Sequence, residues 1–137
     1  MIGIDTNILV RYFADDDVAH SPVAMRFLES LTSSKRGYVS VAALLELSWV
    51  LGRCYKIGRE GLVRTLQHLL TASHLEVERC AEVADAVERF RQGSADLPDY
   101  LIERRCSNAG CSCTMTFDAR AAKSAGMQLV SLPADAS

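Results

Sequence analysis

The chain's 137 residues, 49% of them hydrophobic, are the size of one ordinary domain, long enough to bury about 70% of the surface the unfolded chain exposes. Fifteen basic against seventeen acidic residues leave a net charge of −2, which excludes a protein that coats nucleic acid through a broad basic face and confines any such contact to a local patch. The longest apolar stretch, Val41 to Leu45, is far too short to span a membrane, and no basic segment followed by an apolar leader opens the chain, so a soluble cytoplasmic protein is expected.

The chain opens on Met1-Ile2-Gly3-Ile4-Asp5-Thr6-Asn7-Ile8-Leu9-Val10, which reads as strand, polar elbow and helix, with Thr6 or Asn7 capping the helix. Asp5 then stands at the strand's carboxyl end, where open α/β sheets bind ligands. The alternative is that Asp5 only caps the helix, a common role for aspartate. Asp15-Asp16-Asp17 marks a solvated turn, and Ser21-Pro22 starts a second helix with Ser21 as cap and an apolar stripe of Val23, Phe27, Leu28 and Leu31. Tyr38-Val39 is a short strand, after which Ser40 caps a strongly apolar helix running to about Tyr55. Arg59 to Thr71 is amphipathic, Leu75-Glu76-Val77 alternates like a strand, and Cys80 to Gln92 returns to helical period before Gly93.

Asp96-Leu97-Pro98-Asp99 opens the next helix, with Asp96 as cap and Asp99 in the first turn. Cys113 to Phe117 is a short strand ending in Asp118, followed by a small helix from Ala119 to about Ser124 and a last strand from Gln128 to Leu132. Strands alternating with helices at this spacing imply βαβ units, hence an α/β fold with a mostly parallel sheet and helices on both faces. The cysteines, Cys54, Cys80, Cys106, Cys111 and Cys113, lack the spacing of a disulfide framework. Cys106, Cys111 and Cys113 fall short of the paired hooks and four ligands of a structural zinc site, so buried or half-buried thiols are expected. The histidines, His20, His68 and His74, read as surface residues.

Four carboxylates stand out. Asp5 and Asp118 each end an apolar strand, Asp99 starts a helix beside a loop, and Glu46 is the only charged residue between Val41 and Gly52. A lone buried carboxylate on that helix costs several kcal/mol unless paired or metal-bound; the alternatives are a partner such as Arg11 or Arg120, or a narrow wet face. If the four converge, pairs a few Å apart repel by about 4 kcal/mol near a protein surface and call for a cation. Carboxylate oxygens suit magnesium or manganese, and acid-held magnesium is the equipment of phosphoryl transfer and phosphodiester hydrolysis.

These residues carry a resemblance. Asp5-Thr6-Asn7-Ile8-Leu9-Val10-Arg11-Tyr12, the isolated Glu46, Asp96-Leu97-Pro98-Asp99-Tyr100-Leu101-Ile102 and Thr116-Phe117-Asp118 are similar, in order and spacing, to the motifs of the PIN-domain family, and closely so to its VapC toxins of toxin–antitoxin pairs. The resemblance implies a single PIN-like domain over residues 1–137, with 132–137 a short tail: a three-layer sandwich on a parallel sheet of about five strands, with the first and fourth adjacent. It also implies Asp5, Glu46, Asp99 and Asp118 as the acidic site, with Asp5, Asp99 and Asp118 holding the metal and Glu46 positioning it or the attacking water. Thr6, Asn7 and Thr116 would support them. Two departures are that Ala119, Arg120 and Ala121 follow Asp118 where some relatives carry a further acid, and that Pro98 replaces the usual small residue.

The expected activity is therefore a magnesium- or manganese-dependent endoribonuclease, toxin-like, with a small antitoxin as partner and a homodimer as assembly. Arg11 and Arg120 either touch the RNA backbone or form surface ion pairs. Two rivals are an aspartyl phosphatase or phosphotransferase, disfavoured because Asn7 stands where a second Asp is wanted, and a non-catalytic RNA- or protein-binding module. Phe27, Leu28 and Trp49 either line an apolar groove for the antitoxin or belong to the core.

Overall fold

The computed structural model describes residues 1–133, so the expected tail over 132–137 lies outside the described residues from position 134 onward. The chain divides into two compact units, one from Met1 to Ala84 and a second beginning at Asp85.

In the first unit, β1 (Ile2–Gly3), β2 (Gly37–Val39) and β3 (Leu75–Val77) form a parallel sheet in that order, with Ile2 opposite Gly37, and Gly37 and Val39 opposite Leu75 and Val77. The ladder continues one residue past β1, where the Ile4 amide donates to the Tyr38 carbonyl at 3.0 Å. A β-carbon on Gly37 would overlap the Ile4 and Leu31 side chains, so glycine at this position lets the apolar layer close over β2.

Two helices set the geometry of the strand ends. α1 (Thr6–Ala14) is capped by Asp5, not by Thr6 or Asn7 as expected, because Asp5 keeps extended backbone (φ −77°, ψ 156°) while its carboxylate accepts the Thr6 amide. α2 (Ser21–Glu29) starts one residue earlier than its sequence suggests: His20 takes the cap position, and the Ser21 hydroxyl turns back to accept the Asp17 amide at 3.3 Å. α3 (Val41–Arg53) starts as expected, with the Ser40 hydroxyl accepting the Ala43 amide at 3.1 Å. Its inward face is Leu44, Leu47, Ser48 and Leu51, and the three leucines are no more than 1% exposed. Each is worth about 1.5–3 kcal/mol relative to exposure, so the helix cannot rotate and its opposite face, with Ala42, Glu46, Trp49 and Arg53, is held outward. α4 (Arg59–Thr71) follows, packing against α3 and β3.

α5 (Cys80–Gln92) carries the chain into the second unit, which contains α6 (Leu97–Asn108), β4 (Met115–Thr116), α7 (Ala119–Ser124) and β5 (Gln128–Leu129). β4 and β5 are parallel, with Met115 opposite Gln128. The architecture is thus α/β with parallel strands, as expected, and there are five strands among the described residues. They hydrogen-bond as a set of three and a set of two, not as one sheet of five, and the β1–β4 adjacency implied by the resemblance is part of neither ladder. β1, β4 and β5 have two residues each, so their ladders are short.

Tyr100 organises the second unit. Its ring is 1% exposed and meets Phe90 edge-on at 6.2 Å. Its hydroxyl lies 2.6 Å from the Ser124 hydroxyl and accepts the Ala95 amide at 3.2 Å, while Ser124 also accepts the Ser94 amide at 2.9 Å. The approach to α6 is thereby tied to the end of α7. Gly93 is required there because a β-carbon would fall on the Tyr100 hydroxyl.

Tyr100→Phe should therefore lower stability by about 1–3 kcal/mol, the worth of two hydrogen bonds at a buried hydroxyl. Gly93→Ala should cost less in the Tyr100→Phe background than in the wild type, because the nearer of the two colliding oxygens is gone and only the Ser124 hydroxyl remains. Urea denaturation of the four proteins checks both, and equal costs in the two backgrounds would contradict this packing.

Candidate active site

The first unit brings two of the four carboxylates together. Asp5, exposed at the end of β1, accepts the Thr6 amide through Oδ1 at 2.7 Å. Thr6 is buried, and its hydroxyl donates to Glu46 Oε1 at 2.7 Å, across forty residues of sequence. One threonine thus anchors both acids, its backbone holding one and its side chain the other. They open onto a cleft of about 300 Å³ whose other walls are Asn7, Val10, Arg11 and Val50.

Glu46 is exposed, so of the readings the sequence leaves open it is the wet face that the structure shows. The apolar residues around it in sequence face the other way on a 3.6-residue period. Its alternative partners are also settled in part. Arg11 lies 3.6 Å from Asp16 and 3.8 Å from Asp17 at the turn after α1, and among the described residues no ion pair joins Glu46 to Arg11 or Arg120. Arg11 nonetheless forms part of the cleft wall.

The second unit holds the other two. Asp99, half-buried in the first turn of α6, accepts the Asp96 amide through Oδ2 at 3.0 Å. Asp118 caps α7, accepting the amides of Arg120 at 2.8 Å and Ala121 at 3.3 Å through Oδ1, and its own amide donates to Thr116 Oγ1 at 3.0 Å. The two acids feel each other. Burial raises the Asp99 carboxyl above its ordinary range, and the negative charges of Asp118 and Asp96 add to this, against the Asp96 amide and the Arg120 guanidinium. Asp96 caps α6, as the sequence suggests, and its charge also acts on Asp99.

Each of the four carboxylates is therefore clamped through one oxygen. The other, Oδ2 of Asp5, Oε2 of Glu46, Oδ1 of Asp99 and Oδ2 of Asp118, accepts no hydrogen bond among the described residues. The remaining expectations divide. All five thiols are free; Cys106 is half-buried as expected, whereas Cys111 and Cys113, like Cys54 and Cys80, are exposed. Trp49 is 59% exposed, whereas Leu28 is core.

The family model of the PIN domain matches residues 2–127. The chain belongs to the PIN domain family. No curated protein matches it. PIN domains are in general divalent-metal-dependent nucleases, and no helix among the described residues of this one is long and apolar enough to cross a membrane. Among the described residues, no group of three or more His, Cys, Asp or Glu side chains is gathered at metal-holding spacing. The donors present nevertheless fit the family's ion in kind. They are hard carboxylate oxygens, one per acid left open, with no thiolate or imidazole in either set, and such sparse protein coordination is the mode of magnesium, which keeps several waters.

The raised Asp99 gives a signed pH dependence. An acid whose folded pKa exceeds its unfolded one binds its proton more tightly when folded, so its contribution to stability falls as pH rises from the ordinary aspartate value near 4 through the folded value. Asp99→Asn keeps an oxygen for the Asp96 amide and removes the charge. Measured in chelator, its melting temperature should exceed that of the wild type at neutral pH, with the difference shrinking as pH is lowered toward about 4. A pH-independent difference would contradict the assignment.

Proposed function

We propose that this PIN domain is a magnesium- or manganese-dependent endoribonuclease of the VapC toxin type, acting in the cytoplasm as a homodimer and held in check by a small antitoxin. The reading takes residues 1–137 as one domain and assigns its acidic site to Asp5, Glu46, Asp99 and Asp118. The observation that carries it is that every one of these carboxylates is oriented by a hydrogen bond to one oxygen while the other stays open. Acids serving only as helix caps would account for Asp5 and Asp118. They would not account for Glu46, which lies within α3 and caps nothing.

Asp5, Asp99 and Asp118 would hold the ion, and Glu46 would position it or a water beside it. When bound, the ion supplies water activation and charge neutralisation at phosphorus. The protein's own part is orientation: Thr6 fixes Asp5 and Glu46 relative to each other, and Thr116 receives the amide of Asp118. Asn7 adds a polar group to the cleft, and Arg11 and Arg120 supply positive charge beside the acids for an RNA backbone. An antitoxin would act through the same electrostatics, an arginine or lysine replacing the cation among the acids.

Asp5→Asn should lower cleavage of total cellular RNA by more than about 100-fold, and Thr6→Val, which removes an orienting hydroxyl without removing an acid, by about 10- to 100-fold. Cleavage should require magnesium or manganese and stop in chelator. Divalent ion should raise the wild-type melting temperature by mass action, and this rise should be lost in both Asp5→Asn and Asp118→Asn. RNA left intact by the wild type in either metal would refute the nuclease. For the toxin reading, expression alone should arrest growth, and a neighbouring small reading frame should relieve the arrest and co-purify. A harmless chain with no co-purifying neighbour would leave a nuclease that is not a toxin.

A further inference from the structure

The outward face of α3 arranges unlike chemistries in a line. Ala42, Glu46, Trp49 and Arg53 recur at helical spacing and all are exposed. Glu46 opens onto the acidic cleft, as does Val50, the residue after Trp49. Trp49, the chain's one tryptophan, is 59% exposed, and the Arg53 guanidinium stands 5.9 Å from its ring centroid. Lys56, also exposed, continues the positive charge just past the helix. Glu46 and Arg53 are seven residues apart, which is about 10 Å along the helix axis. An aromatic side chain this large could have been buried on the leucine face; here it is held in solvent on the same helix face as Glu46 and Arg53.

We infer that Trp49 is a stacking platform for a nucleobase of single-stranded RNA next to the scissile phosphate, with Arg53 and Lys56 receiving the backbone beyond it. The inference rests on the endoribonuclease reading and adds to it the residue on which a base of the substrate would stack. Alternating aromatic and cationic groups are how proteins hold unpaired strands, since every base has a stacking face and every linkage a charge. The guanidinium beside the ring leaves more than half of the residue's surface open to a base. The charge on this stretch favours a polyanion over an apolar partner, and a duplex, whose bases are already stacked, would have none to offer.

Because Trp49 is the sole tryptophan, its emission reports the contact directly. The wild-type protein in chelator, where RNA should stay intact, is titrated with a fluorescently labelled single-stranded oligoribonucleotide, following tryptophan emission and label anisotropy together. Emission should be quenched with the same midpoint as the anisotropy rise, and a duplex of the same sequence should quench less. With metal, Trp49→Ala should raise KM for the single strand about 5- to 150-fold at little changed kcat, and Trp49→Tyr should recover most of the loss. The residue is exposed, so both variants should keep the wild-type melting temperature. Binding without quenching, or an unchanged KM in Trp49→Ala, overturns the inference while leaving a cleaving enzyme intact. Quenching with no cleavage in any metal sinks the nuclease reading instead. Emission that shifts with protein concentration in the absence of RNA would mean that Trp49 is covered by a second copy, which also overturns it.

Discussion

The hydrogen bond from the Thr6 hydroxyl to Glu46 is the constraint on which the placement of the first unit's acids depends. It joins the first turn of α1 to the middle of α3, and through the Thr6 amide it also fixes Asp5. A buried hydroxyl seeks a partner, and a carboxylate makes a stronger one than a neutral group. Glu46 is thus placed by a short connection to a residue that is itself placed by the strand–helix junction. Neither acid needs the other for its position; both need Thr6.

The second unit meets the same requirement with different parts. Backbone amides at two helix starts orient Asp99 and Asp118, and the partial positive charge of those amides suits carboxylates. The buried Tyr100–Ser124 contact ties the segment before α6 to the end of α7. Orientation comes from the scaffold in both units, while the open oxygens remain.

Crowded acids carry a cost that the structure makes visible at Asp99, whose carboxyl is raised by burial and by the charges of Asp118 and Asp96. A group kept in that condition opposes stability at neutral pH. Asp99 completes the capping box of α6 by accepting the Asp96 amide, and its carboxyl stays raised in spite of that bond.

What the sequence by itself determined was local. Helix and strand types were legible from 3.6-residue and alternating patterns, the Ser40 and Asp96 caps from residue type, and the acids from their places at strand ends and helix starts, because each signal depends on neighbours a few positions away. Which of Asp5, Thr6 and Asn7 would cap α1 was not legible, since all three suit the role and only the Glu46 contact, forty residues distant, draws the Thr6 hydroxyl away. The sheet's division into sets of three and two, the exposure of Glu46 and the outward turn of Trp49 likewise belong to tertiary structure. Along the chain Glu46 and Trp49 stand among leucines, and neighbours alone leave Glu46 between a paired acid and a wet face and Trp49 between groove and core. The packing of Leu44, Leu47 and Leu51 decides both, because a helix with three leucines to bury has only one face to give the core.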